Sequence, residues 1–257
     1  MTLSTTQHNN KKKIPLWSIL FWLLIWQLVS MALASDILLV SPVKVLACLG
    51  HLIFTYDFWK AIGFTFFRIT FGFALSLLAG IMLAFFSYLY KPVRELLTLP
   101  VSVIKITPIA SFIILVLIWV PSKNLSIIIS FLISFPIIYT DVLQGLDSMD
   151  HKLLEMASVF NIPFLKKMRY IFLPQIFPFF QAGCSLALGL CWKSGIAAEI
   201  IGLPTGSMGE KLYEAKIYLN TPEMFAWTIT IIVISILFEK IVEFLLKIAI
   251  KKLEGRS

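Results

Sequence analysis

Six runs of the chain are almost continuously apolar, and the polar residues between them collect in short clusters. The runs cover about residues 16–34, 61–88, 100–120, 125–143, 175–194 and 225–246. A helix that crosses the hydrocarbon core needs about twenty such residues, so each run predicts one transmembrane helix. The expected fold class is an all-α membrane protein with six spans. The segment between the fourth and fifth runs, 147–173, has a different pattern. Leu153, Leu154, Ala157 and Phe160 share one helical stripe, while Asp150, Lys152 and Glu155 lie off it, which predicts a short amphipathic helix. Asn161 can adopt the left-handed conformation that closes a helix, and Pro163 suits the first turn of another, so helix, break and helix follow in order. Lys166, Lys167 and Arg169 lead back to the membrane. Residues 171–174 read as the opening of the fifth span, because Pro174 lacks an amide hydrogen and tolerates a first helical turn. On composition alone, the amphipathic segment also fits a helix lying in the lipid interface.

Composition agrees with a membrane class. Hydrophobic residues make up 59% of the 257 positions and charged ones only 14%, and the mean hydropathy is +0.90. One soluble core of this size cannot hide so much apolar surface. Basic residues orient the chain. With a cytoplasmic N-terminus, the inner segments hold thirteen Lys and Arg residues, among them Lys11–Lys13, Lys91, Arg94, Lys166, Lys167 and Arg169, against six in the outer segments. Both termini and the 147–173 loop are therefore expected to face the cytoplasm. The net charge of +8 follows from this bias and from anionic lipid, with no need of nucleic acid. Trp17, Trp59, Trp119 and Trp227 fall near proposed interfaces. The organisation expected is a disordered basic N-terminus over 1–13, a single membrane domain over 14–250 and a cytoplasmic tail over 251–257. Lys11–Lys13, the first apolar run and Ala32-Leu33-Ala34 also imitate a cleavable signal peptide, but the run is longer than a usual signal core. Cys48, Cys184 and Cys191 set neither a disulfide framework nor a metal spacing, and the scattered histidines argue against a metal enzyme. Cys184 and Cys191 read as small packing residues on one helix.

The stretch from Glu155 to Pro174 reads EMASVFNIPFLKKMRYIFLP. Glu, Ala two places on, a helix breaker six places on and Ile-x-Leu-Pro sixteen places on resemble the EAA signature of permease subunits of ATP-binding cassette importers. That family has Gly where Asn161 stands and Ala where Met156 stands. The resemblance extends over roughly 40–250, where the chain looks like the nitrate, sulfonate and taurine branch of the binding-protein-dependent permeases. Ser41-Pro42, Thr65-x-x-Arg68 with Gly72, Lys105-x-x-Pro108, Gly145-Leu146, Trp192 followed by Ala197-Ala198-Glu199, and Gly206-x-x-Gly209 carry it. The resemblance implies the type I importer permease fold, with a cytoplasmic coupling helix between the fourth and fifth spans. It implies inner-membrane localisation and a coupling set of Glu155, Met156, Ala157, Asn161, Ile171, Leu173 and Pro174. It also implies a separate ATPase subunit, a soluble solute-binding protein and a homodimer of permeases working by alternating access. No G-x-x-x-x-G-K-[ST] is present, so this chain is not expected to hydrolyse ATP. It would bind no cofactor, and ATP with Mg belongs to the partner. An energy-coupling scaffold would typically show Ala-Arg-Gly-like motifs, which are missing. An intramembrane enzyme would need a catalytic cluster, and none stands out.

Polar residues within the spans form the candidate pathway: Arg68, Gln181, Ser185, Trp192 and Lys193. An unpaired charge at a span's centre costs on the order of 2.5–3.5 kcal/mol on insertion scales, so Arg68 needs a partner. It can snorkel or bind helix-end carbonyls, or it can meet solute. Gln181, Ser185 and Trp192, at intervals of four and seven, can share a face that lines a path or packs against a neighbouring helix. Arg68 and Lys193 favour an anionic solute such as a sulfonate, taurine or nitrate, while Glu199, Glu210, Glu214 and Glu223 on the outer side blunt that preference. A vitamin precursor is the alternative cargo.

Overall fold

The computed structural model describes residues 15–33, 35 and 38–254. The expected N-terminal segment 1–13, Ala34 and the last three residues of the expected tail lie outside them. The described residues are helical throughout, with no strand. In chain order the helices are α1 Leu16–Leu33, α2 Pro42–Ile53, α3 Tyr56–Leu89, α4 Lys91–Ile106, α5 Ile109–Leu117, α6 Ser122–Asp147, α7 His151–Val159, α8 Phe164–Lys167, α9 Leu173–Gly202, α10 Met208–Ile217 and α11 Thr221–Glu254. A π-helical turn, Met168–Phe172, joins α8 to α9.

Among the described residues, three stretches are long and apolar enough to cross a membrane: Tyr56–Leu89, Ser122–Asp147 and Phe164–Gly202. A bent pair, α4 with α5, makes a fourth if counted as one span. The expected straight third span, 100–120, is thus replaced by two helices inclined at 108°. The cause is local. Pro108 disfavours helical geometry at the residue before it, and Thr107 and Pro108 are extended at ψ 130 and 133. The expected fifth span also starts earlier than 175. Helix runs from Phe164, and residues 171–174 lie inside it. Pro174 cannot donate to Tyr170, and the π-helical turn just before it absorbs the missing bond and the bulk of the ring. At the other end, α11 continues to Glu254, so the boundary expected at 250 falls within a helix.

The core is built on α6, which packs along its length against α3 on one side and α9 on the other. Small residues permit this closeness, as expected where lipid supplies no hydrophobic drive between helices. A Cβ on Gly72 would lie 2.3 Å from the Ile127 carbonyl oxygen, and one on Gly195 would lie 2.7 Å from the Ser130 hydroxyl. Ser126, Ser130 and Ser134 repeat every four residues along α6 and are all buried, as are Cys184 and Cys191 on α9. α11 closes the bundle through Phe238, which meets Phe66 and Trp192 edge-on or tilted at 5.5 and 5.8 Å. Trp17, Trp59 and Trp119 are exposed, as interface anchors would be, whereas Trp227 is buried against Phe58 at 5.1 Å and is a core residue. α1 is tied on at its end, where Trp26 donates to the Val40 carbonyl and Ser30 to the Leu39 carbonyl.

Candidate functional site

Two regions carry the chemistry: the α6–α9 connection, and polar groups embedded between helices. The connection is built from local signals. Asp150 caps α7, its carboxylate accepting from the Lys152 amide at 2.9 Å. The Asp150 amide donates to the Gln175 side chain at 3.0 Å, tying the start of α7 to α9. The helix ends in a Schellman turn: Asn161 adopts φ +50, its amide donates to Ser158, and the Ile162 amide donates to Ala157. The left-handed turn expected at Asn161 is present. Pro163 then caps α8 from just outside it.

Ala157 is wholly buried beneath this turn, and Ile171 is buried beside it. Glu155 and Met156 are exposed. The outward surface is apolar: Val159 is 76% exposed, Phe160 72% and Leu165 81%. Phe160, Asn161, Pro163, Lys166, Tyr170 and Ile171 border a hollow of about 490 Å³. Glu155, Met156, Ala157, Asn161 and Ile171 therefore belong to one small structure. Leu173 instead lines an apolar groove with Ile81, Phe85 and Phe177, and Pro174 shapes the helix rather than the turn.

The embedded candidates separate. Gln181, Ser185 and Lys193 lie on the uncovered side of α9, in register with Gly189 at steps of four. Trp192 departs from that face: it is buried, packed on Phe66 and Phe238. Arg68 is 9% exposed, with its guanidinium 4.1 Å from the Phe64 ring centre and 3.4 Å from Asn124 Oδ1, so its charge is partnered within the chain. Glu199, expected among the outer carboxylates, is fully buried. It accepts from the Thr65 hydroxyl at 2.8 Å and the Gly209 amide at 3.3 Å, while the Met208 amide donates to Thr65 at 3.0 Å. This network pins the start of α10 to α3 and α9. Sequence reasoning noted Thr65 and Glu199 only as separate marks.

It also passed over a second constellation. Lys105, in the last turn of α4, donates to the Thr140 hydroxyl on α6 at 3.2 Å, with Asp141 next along that helix. The signal was visible, since an aspartate inside a long apolar run is a functional candidate by default. Seven residues further along α6, Asp147 holds Arg94 of α4 through two bonds of 2.7 and 3.1 Å. Thr140 is thus about 10 Å along α6 from that pair, at 1.5 Å per residue.

Close-packed apolar helices, three of them long enough to cross a membrane among the described residues, define a membrane protein. Residues 76–255 match the family described as binding-protein-dependent transport system inner membrane component, and the chain belongs to that family. It is 24% identical over 223 residues to the aliphatic sulfonates transport permease protein SsuC of Bacillus subtilis (strain 168), covering 86% of this chain and 80% of that protein. To the taurine transport system permease protein TauC of Escherichia coli (strain K12) it is 24% identical over 220 residues, covering 83% and 80%. A solved structure of an amino acid ABC transporter with histidines aligns with a TM-score of 0.53 at 18% identity, over 75% of this chain and 94% of that chain, which shows the shared fold.

Proposed function

We propose that this chain is the permease subunit of an ATP-driven importer for small organic acids of the sulfonate class, with 147–173 as the seat of a separate ATPase. The observation that carries the reading is the α7 turn. It is held rigidly from below by Ala157, Asn161 and the Asp150–Gln175 bond, yet it presents Val159, Phe160 and Leu165 outward. Large exposed apolar groups on a fixed polar-flanked turn favour a protein partner. Glu155 and Lys166 beside them offer charge-assisted contacts.

In this reading the six apolar segments, α1, α3, the α4–α5 pair, α6, α9 and α11, are the six spans. The basic loop ends and both termini face the cytoplasm of a bacterial inner membrane. Two copies face each other, ATP-driven closure of the ATPase pair moves them by alternating access, and a soluble binding protein delivers solute outside. The names of the relatives favour sulfonate or taurine as cargo. Burial of Glu199 removes one carboxylate from the outer face and so eases the case for an anion, while Lys193 remains exposed.

The test is affinity purification of the tagged protein from its native membrane, with mass spectrometry of its companions. An ATPase accompanies the wild type and is lost with Glu155→Lys or Phe160→Glu, both at exposed positions. Equal recovery of the ATPase with all three proteins would refute the docking role.

A further inference from the structure

We propose that Lys105, Thr140 and Asp141 form a two-charge solute site inside the membrane, suited to a small zwitterion bearing an acid group and an amine. This rests on the permease reading and narrows its cargo. The charged residues shared by α4 and α6 behave in two ways. Arg94 and Asp147 neutralise each other through paired hydrogen bonds. Among the described residues Lys105 and Asp141, about 10 Å along α6 from that pair, make no ion pair: there the ammonium meets only the Thr140 hydroxyl, and the Asp141 carboxylate finds no hydrogen-bond donor. Asp141 directly follows Thr140 in α6, so its carboxylate is one residue from the hydroxyl that Lys105 holds. An unpaired cation and an unpaired anion held close together at membrane depth mark a place where a ligand completes the pairing.

The surrounding structure supports that use. Lys105 stands one residue from the end of α4, where the span breaks at Thr107–Pro108; the Val103 carbonyl still accepts from Thr107, while those of residues 104–106 have no backbone donor among the described residues. Broken helices near the middle of the membrane are where transporters place polar ligands, and irregular backbone persists there only beside protein or a water-filled cavity. Gly183 of α9 lies against Asp141 and leaves no room for a side chain, since a Cβ there would lie 2.6 Å from Asp141 Oδ2. The glycine admits α9 close to the carboxylate and acts as a positioning residue. Lys105 is exposed, and Thr140 and Asp141 are half-buried, so a solute can reach both charges. The acid group of the zwitterion meets Lys105 and Thr140, and the amine meets Asp141 and the free α4 carbonyls.

The experiment is equilibrium binding to the complex purified in mild detergent, with taurine as the zwitterion and ethanesulfonate as the anion without an amine. The wild type binds taurine at least tenfold more tightly than ethanesulfonate. Asp141→Asn brings the two within about twofold, and Lys105→Gln weakens both by about tenfold or more, as expected for loss of a charge-assisted contact. The double variant Lys105→Gln, Asp141→Asn leaves no lone charge, so it keeps the thermal midpoint of the wild type yet binds neither probe tightly. Taurine binding by the double variant at wild-type strength would show that the two charges hold no solute and overturn the site. Unchanged taurine preference in Asp141→Asn, or no binding of either probe by a wild-type complex that retains its ATPase, would also overturn it. Absence of any ATPase from the wild-type preparation would overturn the permease reading and the site with it.

Discussion

Asn161 stands at φ +50, and that single dihedral decides what can replace it. Asn161→Gly is expected to hold the turn as well as the native residue, while Asn161→Val costs about 1–2 kcal/mol for a side chain that resists the left-handed region. Limited proteolysis after Lys166 reads this out: the valine variant is cut faster and the glycine variant is not, and equal rates would contradict the account. A longer-range network gives a second case. Thr65→Val removes a donor from buried Glu199 and an acceptor from the Met208 amide, at about 1–3 kcal/mol, whereas Thr65→Ser keeps both bonds. Thermal unfolding in detergent should show a lowered midpoint for valine and one near wild type for serine. Asn161 was legible in the sequence because its determinants lie within six residues of it. Glu199 was not, because its partner is 134 positions away and a carboxylate near a span's end looks like any surface acid.

Proline sets the form of two elements in opposite ways. Pro108 ends α4 because its predecessor is pushed out of helical geometry, while Pro174 sits in a continuous stretch whose π-helical turn takes up the strain. Both prolines are plain in the sequence, but the choice between break and bulge depends on packing that periodicity does not report. The apolar runs were legible for a simpler reason: lipid demands about twenty apolar residues whatever the helix packs against. Their faces were not. Trp192 fits a stripe with Gln181 and Ser185 by spacing, yet Phe66 and Phe238 draw it into the core. Magnitudes separate two kinds of contact between elements. Asp147→Asn breaks an exposed bond to Arg94 and should change stability by less than about 1 kcal/mol. Gly72→Val drives a side chain into the Ile127 carbonyl and should sharply reduce the yield of folded protein, as followed by size-exclusion chromatography. Similar yields for the two variants would mean that α3 and α6 are not packed as described.

At the scale of the molecule, the account requires the α7 turn and α10 to lie on opposite sides of the membrane. With the three native cysteines replaced, Lys216→Cys should react with an impermeant maleimide in intact cells and Lys166→Cys only after the membrane is opened. Labelling of both from outside would overturn the orientation. Coupling is the central claim, because it joins an exposed apolar turn to movement of solute. Its most direct measurement is ATP-driven accumulation of radiolabelled taurine by proteoliposomes holding the purified complex and its binding protein, compared between wild type and Phe160→Glu. The account predicts ATP-dependent uptake by the wild type and at least a tenfold loss in Phe160→Glu, with the thermal midpoint of the permease unchanged. Uptake by Phe160→Glu at the wild-type rate, or wild-type uptake that ignores ATP, would contradict it.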